Sequence, residues 1–194
     1  MSGRNTKEQL LEAGLRRIRR AGYGATGVKE ILDEAGIPKG SFYHYFGSKE
    51  AFGKEVLGLY ARGEKERSEK ALQRGKGAPI LRLRRYFEDL VRIFGYGAVA
   101  NGCLLGKLTL EIADESDTIQ PLMQASFAGW QGRIAAVLRE AVERGDLPKS
   151  TDSEELAGFL LNSYEGALLR SRADRSNQAL ETFLSFTFDR LLKR

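Results

Sequence analysis

The sequence predicts an all-α protein of about nine helices, a three-helix module with a helix-turn-helix joined to a second helical domain. Three observations predict it. Apolar residues recur every three or four positions along nearly the whole chain, and the alternating pattern of a half-buried strand is almost absent. Glycine followed soon by proline punctuates that rhythm, at Gly75-Lys76-Gly77-Ala78-Pro79 and Arg144-Gly145-Asp146-Leu147-Pro148, where one helix must stop and another begin. Finally, Ile37-Pro38-Lys39-Gly40-Ser41-Phe42-Tyr43-His44-Tyr45-Phe46 reads as a very short helix that hides two phenylalanines and turns a polar edge outward.

The first helix is expected from Thr6 to Ala21. Thr6-Lys7-Glu8-Gln9 has the form of a capping box, Leu11, Gly14, Leu15 and Ile18 share a face, and Gly22 and Gly24 follow. Val28, Ile31 and Leu32 mark a short second helix ending at Ala35-Gly36, where glycine can adopt the left-handed conformation of a sharp turn. Pro38 then opens the third helix, since the first turn has no intrahelical acceptor for the missing N–H. Ser48 caps a fourth. Further helices are expected near 48–73, 79–95, 102–113, 118–144, 151–171 and 176–192, with Thr151-Asp152-Ser153-Glu154 as another capping box. The boundary between the DNA-binding part (1–50) and the ligand-binding and dimerisation part (51–194) is set after the third helix.

Composition narrows the function. The 194 residues, 42% hydrophobic, suffice for one good core or two modest domains. Neither a run of 18 uncharged apolar residues nor a signal-like start is present, so a cytoplasmic protein without a membrane partner is expected. Residues 1–50 carry nine Lys or Arg against six Asp or Glu (+3), and residues 51–194 carry 22 against 20 (+2), which places the basic excess in the proposed DNA-binding part. A single histidine, a single cysteine and the lack of a phosphate-binding glycine loop argue against a metal site, a cofactor or an enzyme.

Helix, glycine turn, helix is the order in which the second helix enters the major groove through its N-terminal residues. Phe42 and Phe46 are the expected anchors, while Lys39, Ser41, Tyr43 and His44 suit phosphates and base edges. Of the two tyrosines beside His44, Tyr45 is the one expected to pack inward. Lys49, at the start of a helix, opposes the helix dipole unless an anion such as a DNA phosphate lies nearby.

Residues 6–52, and in particular Gly36 to Glu50, resemble the N-terminal domain of the tetracycline-repressor (TetR) family of bacterial regulators. The resemblance implies that Lys39, Gly40, Ser41, Tyr43 and His44 face DNA, and that Thr26, Lys29 and Lys49 contact its backbone. It also implies a homodimer formed by the last two helices as a four-helix bundle, reading an inverted-repeat operator in duplex DNA and released by a small-molecule inducer. The stripes Leu156, Phe159, Leu160, Ser163, Tyr164, Ala167, Leu168 and Leu180, Phe183, Leu184, Thr187, Phe188, Leu191, with Phe186 off the stripe, carry more apolar surface than a terminal hairpin needs for itself.

A second segment bears on the signal. Asn101-Gly102 forms a turn that can start a helix, which puts Cys103 near its first turn with Lys107 four residues on; both features favour a thiolate. A Lys107–Glu111 pair beside an inert buried cysteine is the alternative. Gly102 to Leu108 and Tyr164 to Arg170 resemble a branch of the TetR family whose members sense electrophiles, reactive chlorine or acrylate, which implies a pocket near Cys103, Lys107, Trp130, Tyr164 and Glu165. Trp130 as ordinary core and a surface pair between Glu165 and Arg170 are the alternatives there. Arg172 stands where one such sensor has a lysine near its thiol. The expected function is a repressor that an electrophile or oxidant releases through Cys103; a noncovalent sensor of a small organic acid is second, and a helical enzyme or adaptor is last.

Overall fold

The computed structural model describes residues 6–38, 40–98 and 102–193, and these residues form helices with no strand among them. In chain order the helices are α1 (Thr6–Ala21), α2 (Val28–Ala35), α3 (Ser41–Phe46), α4 (Lys49–Ser68), α5 (Pro79–Phe94), α6 (Leu104–Ile112), α7 (Gln120–Glu143), α8 (Ser153–Ala173) and α9 (Gln178–Phe186). Single π-helical turns extend α4 through Glu69–Gln73 and α9 through Thr187–Leu191. The chain divides into two compact units, residues 1–63 with 104–126, and residues 64–103 with 127–194.

In the first unit α1 packs on α2 over Leu10, Ala13, Ile18, Ile31 and Leu32, all essentially excluded from solvent. Gly36 closes α2 in the left-handed region (φ 67°), and the Gly36 and Ile37 N–H groups return to Asp33 and Leu32 carbonyls, which satisfies the end of the helix and turns the chain. Helix α3 begins at Ser41, three residues past Pro38, whose carbonyl accepts the Ser41 N–H at 3.1 Å. The proline therefore builds the turn before the helix instead of opening it. Phe42, Phe46 and Phe52 form one aromatic cluster with ring centroids 4.9–5.3 Å apart. Phe52 presses against Gly14, where an added Cβ would overlap the ring; the glycine on the apolar face of α1 makes that approach possible.

Ion pairs fix the outside of this unit. Glu34 on α2 receives Arg16 at 2.9 Å and Arg20 at 2.6 Å, both from α1. Helix α6 grips the end of α1 twice: Lys107 Nζ donates to the Arg19 carbonyl (2.6 Å), and Glu111 accepts from the Tyr23 (2.6 Å) and Gly24 (3.0 Å) N–H groups. Lys107 and Glu111, whose pairing with each other was the alternative reading, both have backbone partners at the α1–α2 loop. Just beyond α6, the Ser116 hydroxyl donates to Glu50 at 2.5 Å.

The second unit is built on α5, α8 and α9. Leu83, Phe87, Leu90, Ile134, Leu138, Leu160, Tyr164 and Leu180 are fully buried in it. Helix α8 starts one residue later than the capping box suggested. Asp152, not Thr151, is the cap, and its carboxylate accepts the Glu154 (2.9 Å) and Glu155 (3.0 Å) N–H groups. Among the described residues no helix is long and apolar enough to cross a membrane, and no group of three or more His, Cys, Asp or Glu could hold a metal.

Candidate nucleic-acid interface and sensor site

The turn at Gly36 and the buried pair Phe42 and Phe46 decide which edge of α3 faces solvent. Tyr43 is 61% exposed, His44 and Gly40 are exposed, and Ser41 is partly so. Tyr45 is half-buried, the more inward of the two tyrosines, as expected. Lys39 lies outside the described residues. Lys29 is exposed on α2.

Two of the expected backbone contacts have internal partners. Thr26 is fully buried, its hydroxyl donates to the Gly22 carbonyl at 2.6 Å, and its N–H bonds Tyr23. A side chain so placed braces the α1–α2 loop. Lys49 stacks over the Tyr23 ring (4.7 Å) with its ammonium 3.4 Å from the Gly24 carbonyl. Ser48 caps α4 as expected, accepting the Ala51 N–H at 3.0 Å.

The other predicted residues divide between the two units. Lys107 belongs to the first, and its amine is on the Arg19 carbonyl. Cys103, Trp130, Tyr164 and Glu165 belong to the second. Asn101 lies outside the described residues; Gly102 has a positive φ (100°), and Cys103 follows immediately before α6. The thiol is buried and hydrogen-bonded with the Glu165 carboxyl. Arg170, the alternative partner for Glu165, instead pairs with Asp174 at 2.7 Å. Burial raises the Glu165 carboxyl to about 7, against a smaller lowering by the Cys103 hydrogen bond.

Tyr164 completes the cluster. Its ring packs on Phe87 (5.5 Å), Phe183 (5.8 Å) and Trp130 (6.1 Å), and its buried hydroxyl has no hydrogen-bond partner. Burial raises the phenol well above its usual range, and Glu165, Cys103, Tyr86 and Glu64 add to the rise. Trp130 is half-buried, with its ring against that of Tyr164. Sequence reasoning missed Tyr86 and Glu64, whose charges add to the rise at Tyr164, and Arg133, which acts on Tyr86; no local motif marks them, because they lie on three other helices. Within α8, the buried Nη1 of Arg172 also lacks a hydrogen-bond partner.

A glycine-turned helix pair with an exposed Tyr43-His44 edge, carried with a separate helical unit holding a buried polar cluster, defines a helix-turn-helix regulator with its own signal-receiving part. Comparison with known proteins agrees. Residues 10–56 match the family described as bacterial regulatory proteins, tetR family, and residues 79–187 match the tetracyclin repressor-like C-terminal domain. The transcriptional repressor DhaR of Mycobacterium sp. (strain GP1) is 31% identical over 96% of this chain and 92% of its own length. The repressor NemR of Escherichia coli (strain K12) is 32% identical over 93% and 91%. The regulator AcuR of Cereibacter sphaeroides is 33% identical over 91% and 80%. The crystal structure of reduced E. coli NemR superposes with a TM-score of 0.88, covering 96% of both chains. The chain belongs to the TetR family, and is a DNA-binding transcriptional regulator, not an enzyme. Regulators of this family bind operator DNA and small-molecule ligands and are dimeric.

Proposed function

We propose that this regulator is a cytoplasmic repressor that binds an inverted-repeat operator as a homodimer and leaves it when an electrophile or oxidant modifies Cys103. The observation that carries the sensing half is the buried Cys103 thiol in hydrogen-bond contact with Glu165, beside the unpartnered Tyr164 hydroxyl. In the DNA-binding half, Gly40, Ser41, Tyr43 and His44, with Lys39, meet the major groove, and Lys29 and Lys49 meet phosphates. Lys49 would exchange its internal carbonyl for a phosphate oxygen, a stronger charge-assisted partner.

The dimer is formed by the outer faces of α8 and α9. Phe159, Leu169, Phe186 and Leu191 are 44–61% exposed, whereas Leu160, Tyr164, Leu180 and Phe183 already fill the monomer's core. Large side chains left in water on two successive helices support burial by a symmetry mate. Cys103 adjoins α6, so modification that shifts the start of that helix would pull on α1 through Lys107 and Glu111.

Arg172 favours a second reading, a small organic acid held noncovalently. Its buried Nη1 lacks a partner, while Lys107, the other cation considered for that role, is engaged on Arg19. One experiment separates the two. Footprinting on DNA upstream of the protein's own gene defines the operator, and release is then followed with methyl vinyl ketone and with acrylate. Covalent sensing predicts that Cys103→Ser stays bound at ketone doses that release the wild type; release of the Ser variant at the same dose overturns it. Release of both proteins by acrylate, abolished by Arg172→Ala, would establish the organic-acid reading.

A further inference from the structure

We propose that Glu165 is the general base that activates Cys103, and that Tyr164 is the hydrogen-bond donor that selects neutral α,β-unsaturated carbonyl compounds as its partners. The inference deepens the covalent reading above and rests on it.

Cys103 sits just ahead of α6, buried, with its thiol against a carboxyl. A carboxylate beside a thiol has two possible effects of opposite sign. As a fixed charge it opposes thiolate formation; as a proton acceptor in contact with S–H it removes the proton during attack. Burial decides between them, because it brings the Glu165 carboxyl to about 7 and so makes it a far better proton acceptor than a solvated glutamate. Near neutral pH this acid exists in both forms, as a group that takes a proton and gives it back must.

The independent observation is Tyr164. The residue is 0% exposed, yet its hydroxyl has no hydrogen-bond partner, and it lies close enough to Cys103 and Glu165 for both to raise its pKa. An unsatisfied buried hydroxyl costs free energy unless something accepts from it. A ligand carbonyl oxygen would do so. The surroundings argue against an anionic ligand at this point, since Glu165 and Glu64 are acidic and Tyr86 is a buried phenol. The two arginines whose charges lower the Tyr86 phenol are already engaged, Arg133 on the Ser68 hydroxyl at 2.5 Å and Arg67 on Glu64 at 3.0 Å. One oxygen of Glu165, Oε1, is itself buried without a partner and would repel a carboxylate.

The step balances without any oxidant. The Cys103 thiol proton passes to Glu165 as Sγ bonds the β-carbon and the C=C π bond opens to an enolate. Tyr164 O–H donates to the enolate oxygen, where negative charge has gathered. The Glu165 proton then passes to the α-carbon, leaving a saturated thioether and the original carboxylate.

The test is the rate of Cys103 alkylation by methyl vinyl ketone, read by intact-protein mass spectrometry from about pH 5.5 to about pH 9 on purified wild type, Glu165→Gln and Tyr164→Phe. Circular dichroism and thermal melting establish that each variant is folded. Wild-type rates should rise through about pH 7. Glu165→Gln should be slower by about tenfold or more at neutral pH, with its rise displaced to higher pH. Glu165→Asp, shorter but still basic, should recover part of the rate. Tyr164→Phe should slow methyl vinyl ketone while sparing 2-bromoethanol, whose displacement by the thiol develops no enolate. A Glu165→Gln protein as fast as wild type or faster would overturn the base assignment, and equal slowing of both reagents by Tyr164→Phe would overturn the donor assignment. Either result with Cys103 still labelled leaves covalent sensing intact. A wild-type Cys103 that resists both reagents sinks the covalent reading itself.

Discussion

Glu165 carries the clearest thermodynamic signature at the residue scale. Its carboxyl is raised from an ordinary 4.5 to about 7 by burial, so the folded state holds its proton more tightly than the unfolded chain. The sign follows: the stabilisation from this proton is complete below about pH 4.5 and is lost as pH rises through about 7. At about 1.4 kcal/mol per unit, the change is of the order of 3 kcal/mol. Glu165→Gln, neutral at every pH, should flatten the dependence of the urea midpoint between about pH 5 and about pH 8 and raise stability at the upper end. An unchanged pH slope would show that Glu165 does not bind its proton in this way. Gly14 gives a second residue-scale expectation. Gly14→Ala drives a methyl into the Phe52 ring and should cost about 1–3 kcal/mol by denaturation, with weakened DNA binding, despite alanine's better helix propensity.

At the scale of elements, the legible parts of the fold were those written in local chemistry. The limits of α1, the left-handed Gly36, the Ser48 cap and the glycine–proline break before α5 all follow from residues within a few positions of the event. Where the sequence misled, two local candidates competed for one role. Thr151 and Asp152 could each cap α8, and the charged side chain reached the free N–H groups; Pro38 could open α3 or shape the turn before it. Asp152→Ala should therefore cost about 1 kcal/mol, whereas Thr151→Ala should cost clearly less, a contrast that parallel thermal melts resolve. The exposed aromatics of α8 and α9 make the assembly prediction. Phe159→Glu combined with Phe186→Glu should yield a folded monomer by sedimentation, and persistence of the dimer would place the interface elsewhere.

Across the whole molecule, function depends on two separate kinds of legibility. The edge proposed to read DNA is contiguous in sequence, so Ser41, Tyr43 and His44 stand out together, and the structure leaves that edge open to solvent. The proposed sensor cluster draws on α4, α5, the residue before α6, α7 and α8, so Tyr86, Glu64 and Arg133 could not be read from any one segment. Thr26 was named through the resemblance alone, and the bond from its hydroxyl to the Gly22 carbonyl is a second feature that no local pattern marks. For the assembled regulator, the logarithm of operator affinity should fall linearly with the logarithm of salt concentration, with a slope of about −0.9 per phosphate neutralised. Lys29→Ala should make that slope shallower by about one contact, while His44→Ala should cost about 1–3 kcal/mol on the operator and little on random DNA.

The chain has one tryptophan and one histidine, and each belongs to a different half of the regulator. Trp130 packs beside Tyr164, and His44 stands on the open edge of α3. Under the proposed function, indole fluorescence follows arrival of the inducer and the lone imidazole resonance follows departure of the DNA. Both are native optical and magnetic reporters that require no label.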